Sequence, residues 1–150
     1  MKIKRNLNVS YFHFSIKRYL PLNIICIFNM PEKTNIIANK SKAFAIRIIH
    51  FSKYLTTQKN EYIISKQIFR SGTSIGANIR ESRNAQSSMD FIHKLSIALK
   101  EADETAYWLE LLVESEIIDQ NQFESLHNDL AEIIAILTSI IKTIKQQNQK

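Results

Sequence analysis

The chain has few of the residues that interrupt or cross-link a polypeptide. Proline is absent from residues 32–150, and glycine occurs only twice, as Gly72 and Gly76. Because proline and glycine are the strongest helix breakers, a stretch with so few of them can be almost entirely helical. The single cysteine excludes a disulfide within the chain and leaves no thiol cluster for zinc or an iron–sulfur centre. We expect a cytoplasmic protein, because a reducing compartment suits this composition.

Charge of one sign does not dominate the whole chain, although the net charge is +6. Lysine and arginine outnumber acidic residues by five to none in residues 1–30 and by twelve to four in residues 31–100. In residues 101–150 the acids outnumber them by ten to three. A basic and an acidic part are therefore expected within 150 residues, a length that is typical of one domain.

Residues 1–30 lack a sustained helical period, so we assign them to an irregular or disordered leader and residues 31–150 to the helical region. The apolar run at residues 20–28 contains Asn23 and is too short to span a bilayer, and no small-residue cleavage site follows it. We expect no membrane association. Met30 stands where the regular pattern begins. Three interpretations stay open: sequence upstream of a true start at Met30 or a disordered leader, an accessory segment, or a targeting signal.

Four segments have apolar residues at helical spacing. The first runs from Glu32 to about Thr57, the second from a cap at Asn60 to about Asn84, the third begins at Ser87 and the fourth begins after Asp119. Ser87 is followed by Asp90 at the spacing of a capping box, and Asp119 is followed by an amide at the same spacing. Short connections between long helices favour antiparallel neighbours. We therefore predict an all-α fold, an antiparallel up-down-up-down four-helix bundle.

Each segment has one apolar face that is expected to form the core. In the fourth segment the apolar spacings alternate between three and four residues, as in left-handed helix packing. The expected core positions, in order along the four segments, are Ile37, Phe44, Ile48, Phe51, Leu55; Ile64, Ile68, Gly72, Ile75, Ile79; Phe91, Leu95, Ala98, Ala102, Ala106, Leu109, Val113; and Phe123, Leu126, Leu130, Ile133, Leu137, Ile140, Ile144.

The chain has more apolar residues than one bundle interior easily holds. Those off the expected core faces are Ile46, Ile49, Ile92, Ile97, Trp108, Leu111, Leu112, Ile134, Ile136 and Ile141. A contiguous exposed patch of this kind is typical of a subunit interface, and complementary basic and acidic helices allow head-to-tail contacts that close into a ring. We therefore expect a homo-oligomer, with Trp108 and Leu112 as interface or core anchors. The alternative is scattered surface hydrophobic residues, which are common in soluble proteins.

The two glycines stand four residues apart in RSGTSIGAN, residues 70–78. Residues four apart share a helix face, so Gly72 and Gly76 are expected to permit close helix packing. The hydroxyls of this segment are expected to bond to carbonyls of the preceding turn, and Asn78 or Arg70 is expected to reach a neighbouring helix. The segment lacks the glycine spacing and the following Lys-Ser/Thr pair of a phosphate-binding P-loop.

Basic residues in the first three segments make up a candidate nucleic-acid surface. Lysine and arginine neutralise backbone phosphates without selecting bases, so binding is expected to be salt-sensitive and weakly sequence-specific. Few aromatic residues are interleaved, which disfavours base stacking. A second interpretation is a solvated face that pairs with acidic residues of a neighbouring copy: Glu101, Asp103, Glu104 and Glu110. The basic residues are Lys40, Lys42, Arg47, Lys53, Lys66, Arg70, Arg80, Arg83 and Lys94.

Two residue pairs have the three-residue spacing found in di-metal carboxylate bundles. They are Glu124 with His127 and Asp90 with His93. Their phase places them beside the expected core faces instead of on them, and the two further inward carboxylates of such sites are missing. No nucleophile and base stand at a catalytic spacing. We therefore expect no cofactor, no metal and no catalytic residue, with a di-metal enzyme as the remaining alternative.

Three stretches resemble a known bacterial family: ISKQIFR at residues 64–70, RSGTSIGANIRES at 70–82 and MDFIHKLSIALKEADETAYWLELLVESEII at 89–118. They are similar to the bacterial four-helix bundle family that includes proteins encoded by intervening sequences of large-subunit ribosomal RNA. That family also includes the accessory variability determinant of diversity-generating retroelements. The resemblance extends from about Pro31 to Ile144 and is specific in the second and third segments.

The resemblance implies a helical bundle, self-association and contact with nucleic acid. Because the retroelement relative is a ring-forming, basic partner of a reverse transcriptase, the resemblance also implies a reverse transcriptase as a candidate partner. A retroelement role would need a neighbouring reverse transcriptase gene, whereas an intervening-sequence role would need a reading frame inside a ribosomal RNA gene. The expected function is a non-catalytic oligomeric bundle that binds nucleic acid or a nucleic-acid enzyme, with a purely structural oligomer as the alternative.

Overall fold

Four helices and their connections make up the part of the chain that the structure describes. The computed structural model describes the backbone of residues 31–148 and the side chains of residues 36–148. The helices are α1 (Pro31–Gln58), α2 (Ile64–Ser82), α3 (Ser88–Glu114) and α4 (Gln120–Gln147). No strand occurs among residues 31–148, so the prediction of an all-α protein is confirmed. The predictions about the leader, including a start at Met30, lie outside the described residues.

The first two helices pack closely against each other in opposite directions. The hydroxyl of Ser52 donates to the backbone carbonyl of Ser65 at 3.1 Å. Further along, Gly72 of α2 lies directly against the side chain of Ile48 of α1. From the first contact to the second, the residue number falls on α1, from 52 to 48, and rises on α2, from 65 to 72. The two helices are therefore antiparallel. Their connection is only residues 59–63.

Two contacts, one near the middle of α2 and one near its end, join the second and third helices. The hydroxyl of Thr105 donates to the hydroxyl of Ser71 at 2.9 Å. Nearer the connection, the Lys94 ammonium donates to a carboxylate oxygen of Glu81 at 2.7 Å. These pairs again run in opposite directions, so α3 is antiparallel to α2.

The fourth helix closes the bundle against the first. Lys40 of α1 donates to the carboxylate of Glu132 of α4 at 2.7 Å. Arg47, two turns further along α1, pairs with Asp129. The residue numbers again run in opposite directions, so α4 is antiparallel to α1 and, through α2, antiparallel to α3. The up-down-up-down four-helix bundle predicted from the sequence is confirmed.

The core matches the predicted faces on α1, α2 and α4 almost residue for residue. On these helices only Ile64 and Phe123 are half-buried, and every other predicted core position is buried. On α3 the prediction is wrong at Ala106 and Val113, which are half-buried, while Thr105 and Leu112 are fully buried. The predicted face takes four-residue steps to Ala106 and to Val113, and each such step advances about 40° beyond a full turn, away from the core. The real face returns to it through three-residue steps.

The helix N-termini are capped mostly as predicted. Ser87 accepts a hydrogen bond from the backbone N–H of Asp90, and Asp119 forms a reciprocal capping box with Gln122. The predicted cap at Asn60 is wrong. Asn60 is in the left-handed region at φ 54°, and the carboxylate of Glu61 instead accepts from the three backbone N–H groups of residues 63–65. A longer carboxylate side chain reaches these donors from within the connection.

Among residues 31–148, each helix is either too short or too polar to cross a bilayer.

Candidate functional site

Three of the nine predicted nucleic-acid contacts are bonded within the bundle. Lys40 pairs with Glu132, Arg47 with Asp129, and Lys94 with Glu81. Arg47 also donates to the backbone carbonyl and the hydroxyl of Ser125, at 3.0 and 2.7 Å. A cation that already holds two helices together must give up these bonds before it can contact a phosphate. These three cations are therefore paired within the bundle, and their contact with nucleic acid stays a prediction.

The pair between Lys94 and Glu81 also changes the lysine's acidity. The hydrogen bond that Lys94 donates to Glu81, and then the negative charge of Glu81, raise the pKa of Lys94 above its ordinary value; burial opposes this shift, and the charge of Asp90 adds to it most weakly. Because the folded state holds this proton more tightly than the unfolded state, the pair stabilises the fold. Its contribution to the free energy of unfolding is complete at neutral pH and is lost only as pH rises through the raised pKa of Lys94. Lys94 thus stays charged and paired under physiological conditions.

The other six predicted contacts form one exposed group on α1, α2 and the residue that follows α2. None of them makes an ion pair with another side chain among residues 36–148. Lys42 and Lys53 are eleven residues apart on α1, which is close to three full turns, so they lie on one face, opposite the core. We call the group the basic face: Lys42, Lys53, Lys66, Arg70, Arg80 and Arg83.

A groove of about 380 Å³ lies between α1 and α2 at one end of the basic face. Three cations line the groove: Lys42 on the α1 side, and Arg80 and Arg83 on the α2 side. Small side chains line it between these cations: Ala38, Ala45, Thr73, Gly76 and Ala77 are among them. No acidic residue is among the described residues that line the groove. It is therefore a recessed, positively charged site.

Exposed apolar side chains continue from this groove along the same two helices. Ile46 and Ile49 are 46% and 45% exposed on α1, and Phe69 is 43% exposed on α2. The contact of Gly72 with Ile48 sets the register of the two helices and places Phe69 about level with Ile49. The basic face thus includes an apolar patch, which we define as Ile46, Ile49 and Phe69.

The surplus of apolar residues predicted from the sequence is smaller than expected. Ile92, Leu112 and Ile141 are buried in the bundle, at 7%, 0% and 8% exposure. Leu112 is therefore a core residue and not an interface residue, because a three-residue step brings it back to the core face. Ile97, Leu111, Ile134 and Ile136 are half-buried.

The glycines of α2 contact α1, whereas Asn78 does not reach a neighbouring helix. Gly72 and Gly76 both lie at the contact with α1, but only at Gly72 would an added Cβ atom collide with a neighbour, the side chain of Ile48. The predicted reach of Asn78 to a neighbouring helix is wrong, because its amide donates to the backbone carbonyl of Ser74 in its own helix at 2.9 Å. That carbonyl is one turn back and is the nearest acceptor for a short polar side chain.

An acidic face lies on α3. Asp103, Tyr107, Glu110 and Glu114 are exposed and follow one another at steps of four, three and four residues, so they share one side of the helix, and Tyr107 is 53% exposed. Beside this face Trp108 is half-buried; its ring contacts Tyr107 at a centroid distance of 5.2 Å and its indole N–H donates to Glu104 at 3.2 Å. Two surfaces of opposite charge are thus present on different helices.

The candidate metal pairs have other contacts in the structure. Asp90 accepts from the backbone N–H of Gln86 at 3.1 Å, next to the α3 cap. Glu124 is exposed and accepts from Gln120 at 3.0 Å, while the His127 ring stacks on Phe123. Within residues 36–148, no three His, Cys, Asp or Glu side chains are grouped so that they could hold a metal ion. Neither pair converges with another carboxylate.

A second depression, of about 470 Å³, lies between α1 and the start of α4. It is lined by Arg47, His50, Asp119 and Gln122, among others. Arg47 already bonds to Ser125 and Asp129, and Asp119 and Gln122 form the α4 cap. Its polar groups are therefore largely satisfied by the fold, so the groove between α1 and α2 is the stronger candidate.

Comparison with known proteins assigns a family to this bundle. A family model described as 23S rRNA-intervening sequence protein matches residues 33–139. The chain belongs to this family. None of the curated proteins compared with it matches. The chain is similar to a crystal structure from Bacteroides thetaiotaomicron, described as a protein with unknown function from the S23 ribosomal protein family. The two share 57% sequence identity and a TM-score of 0.73 over 73% of this chain and 98% of the other.

The family resemblance recognised in the sequence is thereby confirmed, and the matched residues contain all nine predicted cations. The relation to retroelement proteins is not tested by these comparisons. Two features of the structure were not predicted: the groove between α1 and α2, and the exposure of Phe69 beside it. The alternation of small residues with cations in SKAFAIR and GTSIGANIR is the only sequence signal of the groove.

Proposed function

We propose that this protein is a non-catalytic helical bundle that binds nucleic acid through backbone phosphates and associates with copies of itself. The observation that carries the proposal is the basic face: six exposed lysines and arginines on one helical hairpin, none of them in an ion pair with a described side chain. The family description names 23S rRNA, so RNA is the first nucleic acid to test.

Phosphate contact explains the character of the basic face. Its residues are flexible cations on regular helices, and each phosphate neutralised releases condensed counterions into solution. Binding of this kind weakens as salt rises, with a slope of about −0.9 in log affinity against log salt for each phosphate on a duplex. Six contacts predict a slope of about −5. Base selection is not expected from such contacts alone.

The test is fluorescence anisotropy with a labelled RNA hairpin over a range of salt concentrations. The variant Lys53→Gln/Lys66→Gln/Arg70→Gln removes three charges from the basic face. The control Lys100→Gln/Lys142→Gln/Lys145→Gln removes three exposed charges from α3 and α4. We expect the first to lower affinity more than about tenfold and to reduce the salt slope by about 2 to 3. We expect the control to change both only slightly. Absence of binding at low salt contradicts the proposal.

Self-association is supported by the opposite charges of two surfaces. The acidic face of α3 and the basic face of α1 and α2 belong to different sides of one protomer, so contact between them joins two copies head to tail. Sedimentation velocity at low and high salt tests this. Copies joined by these faces dissociate as salt rises, and Asp103→Lys/Glu110→Lys dissociates them at low salt.

Nucleic-acid binding and self-association can be distinguished with the same variants. If the basic face serves only self-association, then its triple variant shifts the sedimentation of the protein, while the unaltered protein binds no RNA at low salt. That result supports the purely structural oligomer. A reverse transcriptase or another nucleic-acid enzyme remains a proposed partner for the same face, and co-purification of such an enzyme with the unaltered protein but not with the triple variant is the matching test.

A further inference from the structure

We propose that single-stranded nucleic acid, and not duplex, is the preferred ligand, and that it lies along the groove between α1 and α2. One phosphate sits between Lys42, Arg80 and Arg83, and neighbouring bases lie against Phe69 and Ile49. The inference rests on the proposed function and goes further by naming the form of nucleic acid and its path.

The groove has the donors that a phosphate needs and lacks competing charge. Lys42 approaches from α1, and two guanidinium groups approach from the other side; each guanidinium can bond to two phosphate oxygens at once. The hydroxyls of Ser41 and Thr73 donate instead to carbonyls of their own helices, at 3.2 and 2.8 Å. An anion in the groove is therefore held by the three cations.

The shape of the groove admits a narrow ligand. A Cβ atom added to Gly76 would lie 3.4 Å from the backbone carbonyl oxygen of Ser41, so the helices approach closely and the floor is formed by backbone and small side chains. The volume of about 380 Å³ is lined on both sides by helices. A single strand can lower one phosphate and its sugar into this space, whereas a duplex presents a broad convex backbone that spans the rims.

The apolar patch gives the stronger argument against a duplex. A duplex keeps its base faces stacked inside and offers sugars, phosphates and base edges to a surface, so Ile46, Ile49 and Phe69 would find no base face to pack against. A single strand exposes base faces, and these stack on an aromatic ring with little regard to sequence. Phe69 and Arg80 are eleven residues apart on α2, or about 16 Å at 1.5 Å per residue. A few nucleotides of single strand cover that distance.

Nothing bulky blocks the path between the two positions. Thr73 and Ala77 occupy the α2 surface between Phe69 and Arg80 and also line the groove. Lys66 lies about one turn beyond Phe69 and Arg70 directly follows it, and both are exposed, so phosphates on either side of a stacked base meet a cation. The charge of the path is complementary to a polyanion along its whole length.

The test uses a variant that fills the groove with a large side chain and leaves the charge of the protein unchanged. Ala77 is exposed and lines the groove, so Ala77→Trp occupies it; Ala135→Trp makes the same change on the exposed face of α4 and is the control. Affinities are measured for a labelled oligouridine of about 12 nucleotides and for an RNA duplex of about 12 base pairs. We expect Ala77→Trp to weaken single-strand binding about tenfold or more, to change duplex binding less than about twofold, and Ala135→Trp to change neither. Phe69→Ala should weaken single-strand binding by about tenfold, a typical value for loss of one stacked base.

The outcomes distinguish this inference from the proposed function. Equal losses for single strand and duplex, or no loss with Ala77→Trp, overturn the groove as the path while leaving nucleic-acid binding intact. No binding of either RNA by the unaltered protein at low salt overturns both. If Ala77→Trp and Phe69→Ala change the sedimentation of the free protein and leave RNA affinity alone, the patch is covered by a second copy of this chain and the inference is wrong.

Discussion

Gly72 stands where any side chain would collide with Ile48. A Cβ atom built on Gly72 lies 2.8 Å from Cγ1 of Ile48, closer than real Cβ atoms approach other atoms, and 3.0 Å from Cγ2, which is tighter than most real contacts. Ile48 is fully buried and cannot swing away. The close contact of α1 with α2, and with it the register that forms the groove, therefore depends on the absence of one methyl group.

Gly72→Ala is expected to lower the free energy of unfolding. Overpacking of a buried contact costs about 1 to 3 kcal/mol, and the higher helix propensity of alanine returns about 1 kcal/mol. Gly76→Ala is the control, because its nearest neighbour lies at 3.4 Å, an ordinary contact. It is expected to raise stability by about 0.5 to 1 kcal/mol. Urea denaturation of both variants measures the difference.

The Ile48→Ala background checks the cause of that loss. It removes both γ-carbons that the new methyl group would meet, so Gly72→Ala should cost less there than in the unaltered chain, or should become favourable. Equal costs in the two backgrounds would mean that the collision with Ile48 does not explain why glycine is needed.

Thr105→Val tests the one hydroxyl pair that links α2 and α3 in the core. Thr105 is fully buried, and its hydroxyl lies 2.9 Å from that of Ser71 and 2.7 Å from the carbonyl oxygen of Glu101. Valine keeps the shape and removes the bond, while Ser71 keeps its own bond to Gln67. We expect a loss of about 1 kcal/mol in the free energy of unfolding. Thr143→Val, which removes only a bond within α4, should change it by less than about 0.5 kcal/mol.

Glu61→Ala is expected to destabilise the start of α2. Its carboxylate accepts from three backbone N–H groups at 2.6 to 2.9 Å, and loss of a helix cap costs about 0.5 to 2 kcal/mol. Glu61→Gln keeps an acceptor oxygen and should cost less. Asn60→Gly should be neutral or slightly stabilising because φ is 54° there, whereas Asn60→Ala should destabilise. Thermal unfolding followed by circular dichroism gives the order, and a larger effect of Asn60→Gly than of Glu61→Ala would restore Asn60 as the cap.

The sequence was sufficient for the architecture wherever the apolar pattern was dense. On α4 the isoleucines and leucines alternate at three and four residues, and the buried face is the predicted one. On α3 the middle of the core face is made of Ala98, Ala102 and Thr105, which carry little hydrophobic signal. The predicted face therefore took a four-residue step to Ala106, and later one to Val113, where the buried face takes three-residue steps. Leu112 appeared to be a surplus residue for the same reason.

The candidate site could not be predicted from the sequence, because it depends on how the helices align against one another. Lys40 and Glu132 are 92 residues apart, and Arg47 and Asp129 are 82 apart, so their pairing required the register of α1 against α4. The groove arises because small residues of α1 and α2 come level with each other, and that register is set by the contact of Gly72 with Ile48. Positive charge was visible in the sequence, but which charges were free was not.

Trp108→Ala is expected to weaken self-association more than it weakens the fold. The indole is only half-buried, beside the exposed Tyr107 and the acidic face, and its N–H is held by Glu104 at 3.2 Å, so a large ring is fixed at the surface. Rigid, partly exposed tryptophans are frequent anchors of interfaces, where truncation costs about 2 kcal/mol or more, equivalent to about 30-fold in affinity. Phe123→Ala is the matched control, because it removes another half-buried ring from a different helix. Sedimentation velocity over a range of concentrations should show smaller species for Trp108→Ala than for Phe123→Ala. If both variants and the unaltered protein sediment alike, Trp108 is not an anchor, and its role is confined to packing within the protomer.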